Sequence, residues 1–130
     1  MPVSLESLLS IPTYPATDVT LRDFTVDGAG RGRDGVRFVG VLYDDAGGEA
    51  RRLEFLDMHD TPPTTAISGI GLFANAESVP DLELLVDGVT VRAFQKSGLA
   101  CYGEFGTFDI RNVDVDAAEL YTDAVQNGIE

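Results

Sequence analysis

The sequence predicts a mainly β protein, an antiparallel β-sandwich or barrel of about seven short strands with a C-terminal helix. Three observations lead there. Runs rich in β-branched and aromatic residues recur between Gly- and Asp-rich turns. Apolar and polar residues alternate with period two inside most of those runs. The one clear helical stripe lies near the end, at 116–127. With 130 residues the chain has the length of a single domain, 1–130, and can bury about two-thirds of its unfolded surface without a disulfide staple.

Residues 1–17 are expected to be an N-terminal extension, in which Ser4 to Leu9 fits a helical turn or two before Pro12 and Pro15. This start lacks a basic n-region, and Glu6 interrupts its short apolar stretch, so no signal peptide is expected. From Asp18 the pattern is strand-like. Val19 and Leu21 alternate with polar residues, then Phe24 and Val26 continue in the opposite phase, which places a β-bulge at Arg22-Asp23. A Gly-rich loop spans Asp27 to Gly35. The strand Val36 to Tyr43 is apolar on both faces and needs cover on both, from a second layer or a partner subunit. Asp44 to Gly48 is expected to turn the chain so that Ala50 to Met58 returns as its hairpin partner.

A proline-containing loop follows from Asp57 to Thr65, then a glycine-interrupted strand from Ala66 to Phe73. Leu82 to Val86 and Val89 to Phe94 flank Asp87-Gly88, a type I′ hairpin signal. Leu99 to Val115 is strand-like, with a second change of phase at Arg111-Asn112. In the last segment Asp116 stands as N-cap with Glu119 three residues on. Ala117, Leu120, Tyr121, Ala124 and Val125 share one stripe, and Gly128 fits a C-terminal cap. Val19 to Phe38 has the pattern of one turn of a parallel β-helix, but no repeat of 20–50 residues is visible in the rest of the chain.

Charge narrows the function. There are 22 acidic and 9 basic side chains, a net charge of −13. The basic residues are eight arginines and Lys96. Self-repulsion of this size destabilises the fold in dilute buffer and is screened in molar salt, so the composition predicts a halophilic setting. Direct nucleic-acid binding is not expected of such a polyanion. No apolar run approaches the roughly 18 residues of a membrane-spanning helix. The charge is uneven: residues 1–53 carry eight acids and six arginines, whereas 54–130 carry 14 acids and three cations.

Candidate chemistry is sparse. Gly30 to Gly35 matches G-x-G-x-x-G, but a dinucleotide site needs a helix directly after it and a strand pattern follows instead. Asn112, Asp114, Asp116 and Asp123 have the spacing of EF-hand ligands. Ala117 stands where that loop needs glycine, however, and a strand with one solvated acidic face explains the alternation. His59 with Asp57 and Asp60 could hold a divalent metal or serve a small hydrolase or isomerase as general base. Cys101, the only cysteine, could be a nucleophile with His59 as its base, but nothing in the sequence brings the two together. No metal site and no cofactor is therefore expected.

Three classes of function remain. The first is a non-catalytic structural or assembly subunit of an oligomeric complex, cytoplasmic or part of a virion as a capsid-decorating, head–tail connector or tail protein. Its docking set would be Arg31, Arg33 and Arg37, concentrated in the one hairpin that the glycine-rich loop closes, facing Asp109, Asp114 and Asp116 of another subunit, since arginine pairs with carboxylates through two hydrogen bonds. The second is a small ligand- or glycan-binding β-module, for which Tyr14 and Tyr102 are the candidate aromatic platforms. The third is the His59 enzyme.

Overall fold

The computed structural model describes residues 4–11, 18–33, 36–62, 68–117 and 126–130. They form eleven strands: β1 (Ser4–Ile11), β2 (Asp18–Asp27), β3 (Val36–Asp44), β4 (Gly47–Met58), β5 (Ile70–Asn75), β6 (Leu82–Asp87), β7 (Thr90–Phe94), β8 (Ser97–Tyr102), β9 (Gly106–Arg111), β10 (Asp114–Asp116) and β11 (Asn127–Ile129). Every strand pairing is parallel. The first sheet has the order β1-β3-β5-β8-β11. In the second, β2 lies on one side of β4, and β6 and β7 lie end to end on its other side, followed by β9 and β10. The chain therefore winds as a β-solenoid. Its successive coils are β1–β2, β3–β4, β5–β6–β7 and β8–β9–β10, and β11 opens a fifth.

Coil length varies. In the first sheet Ser4 pairs with Val36, an offset of 32; Val39 with Ile70, 31; Ile70 with Ser97, 27; and Ser97 with Asn127, 30. In the second sheet the offsets are 29 (Asp18 to Gly47), 36 (Gly48 to Leu84) and 24 (Leu82 to Gly106). The differences are absorbed at the corners, while the register within each sheet is kept.

A crease runs down the second sheet. Asp23, Arg52, Gly88 and Asn112 all have left-handed backbone, with φ of 63°, 50°, 70° and 49°. The residues just before them, Arg22, Arg51, Asp87 and Arg111, form one column in register. Both expected phase changes fall on this line. At Arg22-Asp23 and again at Arg111-Asn112 two consecutive residues are exposed, and the inward phase then shifts by one. The crease thus keeps apolar side chains inward on either side of it: Val19, Leu21, Phe24 and Val26 in the first coil, Ala50, Leu53 and Phe55 in the second, Val86, Val89 and Val91 in the third.

The first sheet carries a second column. Gly71 aligns with Gly98 and Gly98 with Gly128, because their neighbours Ile70, Ser97 and Asn127 pair in register, as do Leu72, Leu99 and Ile129. Gly40 continues the column between the pairs Val39–Ile70 and Val41–Leu72. A Cβ at Gly40 would stand 2.6 Å from the Gly71 carbonyl oxygen and 2.7 Å from the Phe55 ring. One at Gly71 would meet the Gly98 carbonyl oxygen at 2.7 Å and Val91 at 3.1 Å. Here the backbone of one sheet takes side chains of the other directly against it.

Val39, Val41 and Tyr43 are fully buried, so β3 is covered on both faces within one chain. The sides are not those of strict alternation. Phe38, Val41 and Tyr43 belong to the main core, while Val39 and Leu42 form a second cluster with Ile70 and Ala100 on the opposite face. The Tyr43 hydroxyl lies 3.1 Å from the Val19 carbonyl oxygen and 3.0 Å from that of Glu49, tying the first two coils together.

Several expectations are corrected. The fold is a parallel solenoid and not an antiparallel sandwich or barrel. Asp44 to Gly48 is a corner between two sheets, so β3 and β4 are not a hairpin. Asp87-Gly88 turns no hairpin: β6 and β7 both pair with β4, and Gly88 occupies the crease. Within the supposed extension, Ser4–Ile11 is a strand on β3 and not a helical turn. There is no helix among the described residues. The expected helix at 116–127 is bounded by strand at both ends, since Asp116 closes β10 and Asn127 opens β11; its middle, 118–125, lies outside the described residues. Gly128 belongs to the glycine column and caps nothing. The strand signals were sound, but short apolar runs carry no information on whether neighbours run parallel.

Candidate functional site

The residues singled out from sequence fall into separate places. Arg31 and Arg33 are exposed in the corner between β2 and β3. Arg37, at the start of β3, is half-buried with its guanidinium over the Phe73 ring, 5.8 Å from the centroid. The three expected acidic partners lie on the outer surface of the last coil and already have partners within the chain. Asp109 takes a two-point contact from Arg111, Nε to Oδ1 at 2.9 Å, and Asp114 and Asp116 flank Arg92 at 2.6 and 3.8 Å. The same contacts draw the Asp109 carboxyl below its ordinary range. Asn112 donates from Nδ2 to Asp87 at 2.8 Å, and Asp123 lies outside the described residues. Asn112, Asp114 and Asp116 thus line an outward strand face whose polar atoms bond to the coil next to them. Among the described residues no group of three His, Cys, Asp or Glu converges as a metal site.

His59 and Asp60 belong to the corner after β4. The Asp60 carboxylate is fully enclosed. It accepts from the Ser68 hydroxyl at 3.1 Å and from Gln95 Nε2 at 3.3 Å, while Gln95 Oε1 accepts the Asp60 N–H at 3.1 Å. This network ties three corners together, because Gly32 bridges to Asp60 from the coil before. A Cβ at Gly32 would run into that carboxylate, and one at Gly30, where φ is 60°, would stand 2.8 Å from the His59 ring. The glycines of the G-x-G-x-x-G match therefore make room for the next corner, and β3 follows them. His59 Nδ1 lies 2.9 Å from the Asp60 carbonyl oxygen, and Nε2 lies 3.9 Å from Asp57. Cys101 sits toward the far end of β8, four residues beyond Ser97, which is about 13 Å of strand. Burial raises its thiol to about 11, so it is protonated and a poor nucleophile at neutral pH. The structure does not bring Cys101 and His59 into one site.

What the solenoid does assemble is a cavity of about 530 Å³ on the outer face of the first sheet. Arg37, Phe73, Asn75, Lys96, Tyr102 and Glu130 supply its polar and aromatic lining, and Leu42 and Ile70 part of its apolar wall. Stacking explains the grouping: Leu42 pairs with Phe73, and the column Asp44, Asn75, Tyr102 crosses three coils. Tyr102 is 40% exposed and meets Phe73 edge-on, with ring centroids 5.7 Å apart. Glu130 accepts the Ser97 hydroxyl at 2.7 Å, and Lys96 lies 3.8 Å from the same oxygen. Hydrogen bonds from Tyr102 and Ser97 hold the Glu130 carboxyl down at about 2, while partial desolvation and that same carboxylate push the Tyr102 hydroxyl up to about 12. Neither group exchanges a proton near neutral pH.

Tyr102 was singled out in sequence as a candidate aromatic platform. Phe73, Asn75, Lys96 and Glu130 were not, because only the register of unequal coils brings them together. A second hollow of about 580 Å³ lies over the second sheet, where Asp18, Glu49, Asp81, Glu83 and Asp109 make it acidic. Among the described residues no helix is long and apolar enough to cross a membrane. The chain matches no protein-family model, no curated protein and no solved structure.

Proposed function

We propose that the chain is a non-catalytic structural subunit of a larger protein assembly, a short β-solenoid rod. The observation that supports this most is the continuous stack of parallel coils, which places backbone hydrogen bonds along one axis and, among the described residues, leaves β1 and β11 as the edges of the first sheet and β2, β9 and β10 as those of the second. Such edges are templates for association unless they are guarded.

The charges indicate which association is favoured. The favoured contact is the exposed corner with Arg31 and Arg33, because in a chain of net charge −13 two exposed cations complement an acidic partner surface. Asp109, Asp114 and Asp116 are weaker partners for that corner than the sequence suggested, since Arg111 and Arg92 already engage them. Native mass measured in dilute buffer and in molar KCl tests the proposal. A larger species that shrinks to monomer in Arg31→Glu/Arg33→Glu is expected, and a strict monomer at every salt concentration would sink it.

A further inference from the structure

The edge of β2 supports a second contact, one that does not depend on the corner with Arg31 and Arg33. Among the described residues β2 pairs only with β4, so its other edge presents unpaired backbone groups. That edge has nearly the same chemistry in both directions. From Asp18 to Asp27 the sequence is Asp-Val-Thr-Leu-Arg-Asp-Phe-Thr-Val-Asp, with its midpoint between Arg22 and Asp23. Exposure is symmetric about the same point: Val19, Leu21, Phe24 and Val26 are half-buried, and the polar residues beside them are exposed.

The crease makes this symmetry usable. Residues directly opposite in an antiparallel pair share a face of the sheet. In a strictly alternating strand, a residue and its mirror image about such a midpoint lie on opposite faces. The phase change at Arg22-Asp23, where Asp23 has φ of 63°, puts them on the same face. Two copies of β2 can therefore pair antiparallel about a twofold axis through the crease. Val19 then faces Val26 and Leu21 faces Phe24 on the core side, while Thr20 faces Thr25 and Arg22 faces Asp23 on the outer side. Apolar, Thr–Thr and opposite-charge pairs are all favourable across strands. The Arg22 side chain is 67% exposed and lies 4.0 Å from the Asp23 of its own strand, so the fold engages it only weakly. The one like-charged pair, Asp18 with Asp27, falls at the two ends of the ladder.

The opposite edge of the second sheet lacks this match. β9 and β10 flank the crease at Arg111-Asn112 in the same way, but the same symmetry there sets Asp109 against Asp114 and leaves Arg111 against Asn112.

We propose that two copies of the chain associate head to head through their β2 edges, in the antiparallel register that sets Arg22 of each against Asp23 of the other.

A single ladder at a sheet edge is a small interface, so this contact alone should have a Kd of about 0.1 mM. Sedimentation equilibrium on the full chain carrying Arg31→Glu/Arg33→Glu, which removes the corner contact, should show monomer at about 1 μM and dimer at about 1 mM. Adding Arg22→Glu, which sets two acids opposite one another, should weaken the dimer at least about tenfold. Cross-linking tests the register, with Cys101→Ser as background. Thr20→Cys and Thr25→Cys together place two thiols about 16 Å apart within one chain, too far for a disulfide, but opposite one another between copies. Mild oxidation at high concentration should give a covalent dimer with the pair and none with Thr20→Cys alone. A covalent dimer from Thr20→Cys alone would overturn the register. Monomer at about 1 mM, or a dimer indifferent to Arg22→Glu, would overturn the contact. The corner contact plays no part in any of these outcomes.

Discussion

The glycine column of the first sheet, which runs from the second coil to the fifth, and the crease of the second sheet, which runs from the first to the fourth, constrain the sequence in different ways. The column requires absence of volume. At Gly40 and Gly71 the next backbone and the facing Phe55 occupy the space that a Cβ would need. The crease requires only a backbone conformation, and its side chains point outward, so Asp23, Arg52, Gly88 and Asn112 all meet the requirement. Asp and Asn tolerate left-handed backbone because their short polar side chains bond locally, and glycine has no Cβ to clash. A solenoid can therefore repeat in geometry while its sequence repeats at only one of the two columns.

The sharpest way to break this contrast is at Gly71. Gly71→Ala should cost about 3 kcal/mol or prevent folding, because the added methyl meets the backbone carbonyl of Gly98 and Val91 cannot withdraw from a packed core. Chemical denaturation would show it, and a wild-type midpoint would mean that the two sheets can separate at this line.

A corner provides an intermediate case. The Asp45 carboxylate accepts the backbone N–H groups of Glu77, Ser78 and Val79 at 2.8, 2.8 and 3.4 Å, so that one coil caps the turn of the next. Asp45→Ala should cost about 2 kcal/mol, since it leaves those donors without their charged acceptor. The pH dependence follows from the direction of the shift. Burial alone would raise the Asp45 carboxyl, but the three backbone donors outweigh it and hold the carboxyl below its ordinary range. Its contribution is present above the ordinary carboxylate pKa and is lost as pH falls through the depressed value in the folded state. Thermal midpoints of wild type and Asp45→Ala should converge on acidification, and a constant difference down to pH 2 would contradict this.

The crease should be the more permissive column. Asn112→Gly should change stability little, whereas Asn112→Val should cost about 1–2 kcal/mol, because a β-branched residue resists positive φ. Equal effects of the two substitutions would show that the Asn112–Asp87 hydrogen bond matters more than the backbone angle. The least local effect is that of salt. Much of the described charge is paired between or along coils, as in Arg52–Asp23, Arg51–Asp87 and Arg92–Asp114, but the net charge of −13 remains. The thermal midpoint should rise from dilute buffer to molar KCl, and a flat profile would mean that pairing within the chain has neutralised the repulsion.

These contrasts explain what could be read from sequence. Alternation of Val19 and Leu21, then Phe24 and Val26, located the crease, and Phe108 and Ile110 followed by Val113 and Val115 located it again. Val19 to Phe38 had the look of a parallel turn, and it does lie in one. Its recurrence was hidden because the coils advance by 29, 36 and 24 residues in the second sheet and share no common period. Asp87-Gly88 misled because a glycine with positive φ serves a crease as well as a type I′ turn. Among the residues that line the first-sheet cavity, Tyr102 stood out by type alone. Arg37 and Asn75 join it on the cavity wall only through the register of unequal coils, which depends on packing.

The unequal coils have a mechanical consequence. Since the ladder bonds lie along the axis and each coil rests only on its neighbours, tension applied at the two chain ends would load the outermost strands first and peel them off one rung at a time. The force record would be a staircase and not a single rupture. Its steps would differ in length, because the first coil releases 32 residues, the third 27 and the fourth 30, and the order of long and short steps would report which end had begun to unwind.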